Sequence, residues 1–462
     1  MLHIMSLTYQ QDVESNDVKI EQFDSVQDQR THLFDSYIEH MFKRKGKRGP
    51  SYSKEEGKRW LSLLAKNRSP RPQEIFFIEE MQPAEWLNNG QQTALAVGVR
   101  LAGCLTWVLI AIPFFGLPIA LLFELPSDQT APVADTLFKV ALTLIAGPFI
   151  GVILGSMWVV FDWIGVRIAQ QVDKLQQWYV KRVRRRWSDG TWKILSLFAV
   201  TVICGLVGGV LGWFIGLFTG QTWFLFFSVI GGFSSGFAVM REQRIVVIER
   251  FIWSRSKMIS GGLFGLVLGL VLGIVGSLIL SEDLLTGLVF GMGLGAALGV
   301  IGGLMLGLTA GEEEQEVKLK KRTTPNQGIW QTARIGLLAG LTMSLGPIVL
   351  LELGMGLFLF LYGVPFSGIG DIVVATLPLF TWLAVMLGVM VGLSFGGLAW
   401  IQHWILRLIL YLEDLIPWNY VSFLDYAAQR IFLHKVGGGY IFIHRYLLEH
   451  FAKMSETEKD RN

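Results

Sequence analysis

Long apolar runs separated by short polar turns fill residues 95–399, and polar segments of weaker periodicity flank them. A helix that crosses a bilayer needs about 20 mostly apolar residues. By that measure the runs at about 95–123, 137–160, 193–219, 222–240, 258–280, 284–310, 335–361 and 372–399 each predict a span, paired as helical hairpins. The pattern therefore predicts an all-α polytopic membrane protein, with about eight transmembrane helices arranged as four Gly-rich hairpins. A membrane domain at 94–400 lies between small helical flanks at 1–93 and 401–462.

The first flank predicts helices near 21–45 and 53–67 and a short strand over Ile75-Phe76-Phe77-Ile78. Ser53 reads as an N-cap with Glu55 and Glu56 in the first turn, where acids favour the helix dipole. Trp60, Leu61, Leu63 and Leu64 leave that helix half apolar, a face that needs a protein partner. The last flank predicts a helix over 422–433, a turn at Gly437-Gly438-Gly439, a strand from Tyr440 to Ile443 and a helix over 445–454. Helix, turn, strand and helix in that order is the tail of a winged-helix-like layout.

Composition agrees with a lipid environment. Hydrophobic residues are 52% and charged residues 17% of the chain, against about 25% charged in soluble domains. The 52 glycines and 16 tryptophans suit helices packed closely in lipid and anchored at its surfaces. Cys104 and Cys204 both fall in apolar runs, which excludes a disulfide framework or a cysteine metal site. The first 90 residues are polar, so no cleavable signal peptide is expected.

Charge sets the expected orientation. Connection 161–193 carries Arg167, Lys174, Lys181, Arg182, Arg184, Arg185, Arg186 and Lys193, whereas the alternate turns carry only the acids Glu124, Asp128, Asp135, Glu282, Asp283 and Asp371. Basic loops stay on the cytoplasmic side, so both termini are expected there. Ile164, Ile168, Val172, Leu175 and Tyr179 recur at helical spacing before the basic cluster Arg182, Arg184, Arg185 and Arg186. Trp400, Trp404, Leu408 and Leu412 repeat the pattern. Both suit helices lying on an anionic leaflet, although an ordinary positive-inside flank explains the charge equally well.

Glycines recur every fourth residue at Gly287, Gly291, Gly295, Gly299, Gly303 and Gly307, with shorter runs at Gly261–Gly273, Gly208–Gly216, Gly147–Gly155 and Gly388–Gly396. Residues four apart share a helix face, so each run is a stripe that another backbone can approach closely. Packing within the chain, self-association between chains and a glycine-lined pathway all remain open on that pattern. Glu352 is the one ionisable residue placed well inside a predicted span, while Arg100 and Lys139 lie near span ends.

No catalytic constellation is visible. Gly46-Lys47 and Gly57-Lys58 lack the upstream glycine and following hydroxyl that a P-loop needs. The seven histidines show no metal-ligand spacing, and neither a metal site nor a nucleic-acid partner is expected.

The closing segment GGGYIFIHRYLLEHFA carries Phe442, His444, Glu449 and Ala452 in a Phe-x-His-x-x-x-x-Glu-x-x-Ala pattern. It resembles the segment that closes the winged-helix region of NACHT-type (STAND) NTPases. The N-terminal stretches HLFDSYIEHMFKRKG, YSKEEGKRWLSLLA and IFFIEEMQPAEWL resemble the helical segment that follows their ATPase core, and MLHIMSLTYQ resembles the helix just after it. The combination is similar to bacterial NACHT proteins in which a membrane insert separates these two blocks. The resemblance implies a bacterial inner (plasma) membrane location and a P-loop core supplied upstream or by a partner in trans. ATP or ADP would then be bound only through that core. It also implies that His444 contacts the β-phosphate of bound ADP; read from its residues alone, His444 serves equally as a structural group at a strand end. Glu449 reads as a local capping or pairing residue. The expected function is a non-catalytic membrane-anchoring and signalling region, with membrane lipids and the NTPase core as partners. The alternative is a small-solute channel or transporter that uses Glu352.

Overall fold

The computed structural model describes residues 25–44, 52–70, 74–111, 250–280, 308–311, 322–361 and 391–459, with scattered positions between 138 and 174, at 210, 245, 299 and 303, and between 381 and 389. Helix α1 (Val26–Lys43) starts at Ser25, whose hydroxyl accepts from the Asp28 amide, and carries Asp28 in its first turn and Lys43 in its last. Helix α2 (Lys54–Arg68) opens on a full capping box: Ser53 accepts from the Glu56 amide and the Glu56 carboxylate accepts from the Ser53 amide. Two orphan amides of the first turn are thereby satisfied. A turn of 3-10 helix (Ile78–Glu80) and the short helix α3 (Pro83–Trp86) lead into α4 (Asn89–Ala111).

Beyond these lie strand β1 (Arg250–Trp253), α5 (Arg255–Leu280) and strand β2 (Leu308–Gly311), with β1 and β2 paired antiparallel. The long helix α6 (Gln327–Leu361) follows, then a π-helical segment (Leu393–Gly397) that runs into α7 (Leu398–Leu412). The chain closes with α8 (Tyr420–Gln429), the antiparallel hairpin β3 (Leu433–Val436) and β4 (Gly439–Phe442), and α9 (Arg445–Lys459).

The two end segments share one core. Tyr37 and Ile38 of α1 and Leu61 and Leu64 of α2 are buried in the same cluster as Leu406 and Leu410 of α7, Phe423 of α8, Tyr440 of β4 and Phe451 of α9. Trp60 donates its indole N–H to the Asp414 carbonyl at 3.2 Å, and the Tyr37 hydroxyl donates to the Ile431 carbonyl at 2.8 Å. The partner that the apolar face of α2 requires is thus the C-terminal segment of its own chain. Aromatic edges tighten the seam, with Tyr52, Trp60 and Phe423 packed edge to face.

The expected fold of about eight transmembrane helices is not what the structure shows. Among the described residues one helix, Leu393–Leu412, is long and apolar enough to cross a membrane. The fold is mostly helical but not all-α, because two small antiparallel pairs interrupt it. The physical reason is that an apolar run does not reveal what buries it. The apolar run of α7 spends Leu406 and Leu410 on the protein core, and residues 308–310, assigned by hydropathy to the end of a span, form β2. The predicted spans at 193–219 and 222–240 lie outside the described residues apart from position 210.

Two smaller corrections concern the end segments. The helix expected over 422–433 stops at Gln429, and Leu433–Val436 form β3. Ile431 takes a positive φ of 59°, which breaks the helical path. The strand expected over 75–78 reduces to one bridge, Phe76 to Tyr440, which adds a third strand position to the hairpin before the chain turns into 3-10 helix.

Candidate functional site

Residues 76–82 form a hub that four separate parts of the chain grip at once. The Phe76 amide donates to the Tyr440 carbonyl at 2.7 Å and its carbonyl accepts from the Tyr440 amide at 2.9 Å, which ties the hub to the hairpin. The Ile78 carbonyl lies 3.0 Å from Nε2 of His403, a fully buried side chain on α7. Gln82 presents both ends of its amide to Ile245, with contacts of 3.0 and 2.9 Å, and so imitates a strand pairing with that segment.

Glu79 makes the fourth attachment. Its side chain is fully buried, and Oε1 accepts from the Gly328 amide at 3.3 Å. Oε1 also lies 3.3 Å from Nη1 of Arg322, whose own exposure is 3%. Gly328 belongs to the first turn of α6, whose unpaired amides favour a carboxylate. Arg322 reaches Glu80 at 3.4 Å and stacks its guanidinium over the Phe77 ring at 4.8 Å. Burial pushes the Glu79 carboxyl above the usual carboxylate range, with the Arg322 charge opposing.

The hairpin turn closes the ring. The Gly438 amide donates to the Arg322 carbonyl at 2.7 Å. A Cβ at Gly438 would sit 2.6 Å from the Thr324 carbonyl oxygen, so the approach requires glycine. One turn into α6, Thr332 packs against Gly396, where the π-helical segment departs from helical geometry with φ of 128°. Such bulges re-aim a helix axis. The site therefore joins hairpin, long helix and bulge through buried polar contacts, and it places no nucleophile beside a base.

The residues singled out from sequence are distributed differently. Phe442 is buried in the shared core, and Ala452 packs against it. His444 stands at the amino end of α9, where its Nδ1 accepts from the Tyr446 amide at 3.2 Å, and partial burial lowers its pKa. Glu449 pairs with Arg445 at 2.8 Å, one helical turn away. Gly299 and Gly303 face α5, and a Cβ at Gly299 would come within 2.7 Å of the Gly262 carbonyl oxygen. At these two positions the backbones pack closely within the chain. Gly287, Gly291, Gly295, Gly307, Arg182, Arg184, Arg185 and Arg186 lie outside the described residues, as does the side chain of Glu352.

Sequence reasoning passed over Glu79, Arg322, His403 and Gln82. The available signal was the acidic pair Glu79-Glu80 set directly against the apolar run Ile75–Ile78. Among the described residues no group of three histidine, cysteine or acidic side chains is placed to hold a metal. A cavity of about 10 Å³ between Arg68, Glu74, Phe76 and Tyr440 has room for a single water. No protein-family model, curated protein or solved structure matches the chain.

Proposed function

We propose that this chain is a non-catalytic, membrane-associated relay region of a NACHT-type signalling NTPase. Nucleotide chemistry would belong to a P-loop core, which no motif in this sequence supplies. The single observation that carries the proposal is the hub at 76–82, which links the hairpin, the amino end of α6, the buried face of α7 and Ile245 through buried polar contacts. A movement of the winged-helix-like body would be felt at the foot of the long helix, because Gly438 and Glu79 hold the same short segment, 322–328. Membrane association is supported by Leu393–Leu412, the one described helix long and apolar enough to cross a membrane, although one face of it is held in the body. Packing of both end segments into one body supports a common side for the termini, the cytoplasmic face of a bacterial inner membrane.

Hydrogen exchange on the full chain in detergent tests the relay. Gly438→Ala should raise amide exchange at Gly328 and in the first turn of α6. An effect confined to the hairpin would separate the two elements and end the reading. ATP hydrolysis by the purified chain alone would also overturn it.

A further inference from the structure

Aromatic side chains from three elements meet in a single row along the outer side of α7. Trp330, near the start of α6, lies 6.2 Å from Trp400 between ring centres, and Trp400 lies 6.3 Å from Trp404. Trp404 in turn lies 6.4 Å from Trp418, which packs 5.4 Å from Tyr411. The ends of the row are open to its surroundings: Trp330 and Trp418 are each 57% exposed and Leu412 is 73% exposed, with Leu408 and Tyr411 also exposed, while Trp400 and Trp404 between them are half-buried with their indole N–H groups covered. The opposite face of α7, with His403, Leu406 and Leu410, is buried in the body.

Five neighbouring indole and phenol rings with exposed leucines beside them are costly in water and poorly matched to the centre of a hydrocarbon layer. The exposed rings of Trp330, Trp418 and Tyr411 are apolar bodies with one polar edge, and the headgroup region of a bilayer satisfies both. Trp400, Trp404 and Tyr411 lie on the apolar helix Leu393–Leu412, and at ~1.5 Å of rise per residue they extend about 16 Å along its axis, so the row keeps one depth with α7 lying along the membrane surface. On α6 the exposed side chains that follow Trp330 are Leu337, Leu338, Leu341 and Leu345. Arg407 packs its guanidinium 5.0 Å from the Trp404 ring from the buried face of α7, and Asp414 is paired with Arg59.

We infer that the aromatic row Trp330–Trp400–Trp404–Trp418–Tyr411 rests in the headgroup layer of a lipid bilayer and fixes the body against the membrane surface. The inference rests on the membrane reading proposed above and adds a specific face and depth to it. The occupant is lipid rather than a second copy of the chain, because the exposed apolar side chains continue from Trp330 along α6 at Leu337, Leu338, Leu341 and Leu345.

The test uses the full chain with Cys104 and Cys204 replaced by serine, and a single environment-sensitive fluorophore at Leu408→Cys, Leu412→Cys or Gln29→Cys. Each protein is reconstituted into phosphatidylcholine–phosphatidylglycerol vesicles and floated on a density gradient. Labels at 408 and 412 should shift to shorter wavelength and lose emission in vesicles brominated high on the acyl chain, more than in vesicles brominated near its end. The label at 29, on the exposed side of α1, should do neither. Floating protein whose 408 and 412 labels stay aqueous would overturn the inference and leave membrane association standing. A shift to shorter wavelength without quenching by any brominated lipid would assign the patch to protein contact and overturn it as well. Failure to float at all would remove the membrane reading and this inference with it.

Discussion

Glu79 and Arg322 are buried together, far from one another along the chain, where water cannot solvate either charge. Removing one member of such a pair leaves the other charge uncompensated, at a cost of about 3–5 kcal/mol. Glu79→Ala should therefore destabilise the body toward the lower end of that range, because Glu80 still lies 3.4 Å from the Arg322 guanidinium. Urea unfolding followed by tryptophan fluorescence measures it, and a loss below about 1 kcal/mol, the value of an exposed pair, would deny the junction its structural role. The pH dependence has a definite sign. Burial raises the folded-state pKa of Glu79, so its stabilising contribution is complete below the unfolded value near 4.3 and is lost as pH rises through the folded value. Glu39 behaves oppositely: Lys54 and Lys58 hold its carboxyl low, and its contribution is lost as pH falls. Glu79→Gln leaves Glu39 untouched, so the difference between wild-type and variant unfolding curves isolates Glu79. Wild type should lose stability relative to Glu79→Gln as pH rises from about 4 through the folded value, and a difference independent of pH would contradict the assignment.

Local elements carry their own signals, and there the chain is easiest to read. Ser53 caps α2 because its hydroxyl and the Glu56 carboxylate satisfy two amides of the first turn. Ser53→Ala should cost about 1 kcal/mol in the same unfolding measurement, and an unchanged midpoint would show that the box contributes nothing net. The hairpin was legible at its glycine turn but not at β3, since Leu433, His434, Lys435 and Val436 suit either state. What decides it is Ile431 in the left-handed region, an arrangement local preference disfavours for a β-branched side chain. Tertiary contacts impose it, through the Tyr37 hydrogen bond and the burial of Phe432. Glycine stripes were legible as surfaces for close approach, but their partners were not. On α6 a Cβ at Gly340 would lie 2.8 Å from the Gly388 carbonyl oxygen, whereas one at Gly346 would meet nothing within 4 Å. Gly340→Ala should destabilise by about 1–3 kcal/mol through forced separation of the two backbones. Gly346→Ala should be neutral or stabilise by up to about 1 kcal/mol, because it removes only backbone freedom within a helix. Equal thermal shifts for the two variants would show that this packing does not exist.

At the scale of the molecule, hydropathy located the apolar stretches but not what covers them, and the overestimate of spans follows from that. The polar ends carried the more durable information: an α2 face that demanded a partner, and a C-terminal segment that reads as helix, turn, strand and helix. Neither says by itself that the two ends complete each other, since that depends on contacts such as Trp60 to Asp414 and Asp35 to His450 across nearly the whole chain. A cut chain reports on those contacts directly. With a protease site inserted in the acidic stretch 124–135 and an affinity tag after Asn462, cleavage in mild detergent should leave the N-terminal piece bound to the tagged piece. Retention follows because Trp60, Leu61 and Leu64 lose their cover if the pieces part, and truncating one large core side chain already costs about 3–5 kcal/mol. Trp60→Ala should therefore lower the urea concentration at which the cut pieces separate without changing cleavage itself. Release of the N-terminal piece from the wild-type protein in the absence of denaturant would mean that the ends merely touch, and a relay routed through the hub at 76–82 would then have no rigid body to move.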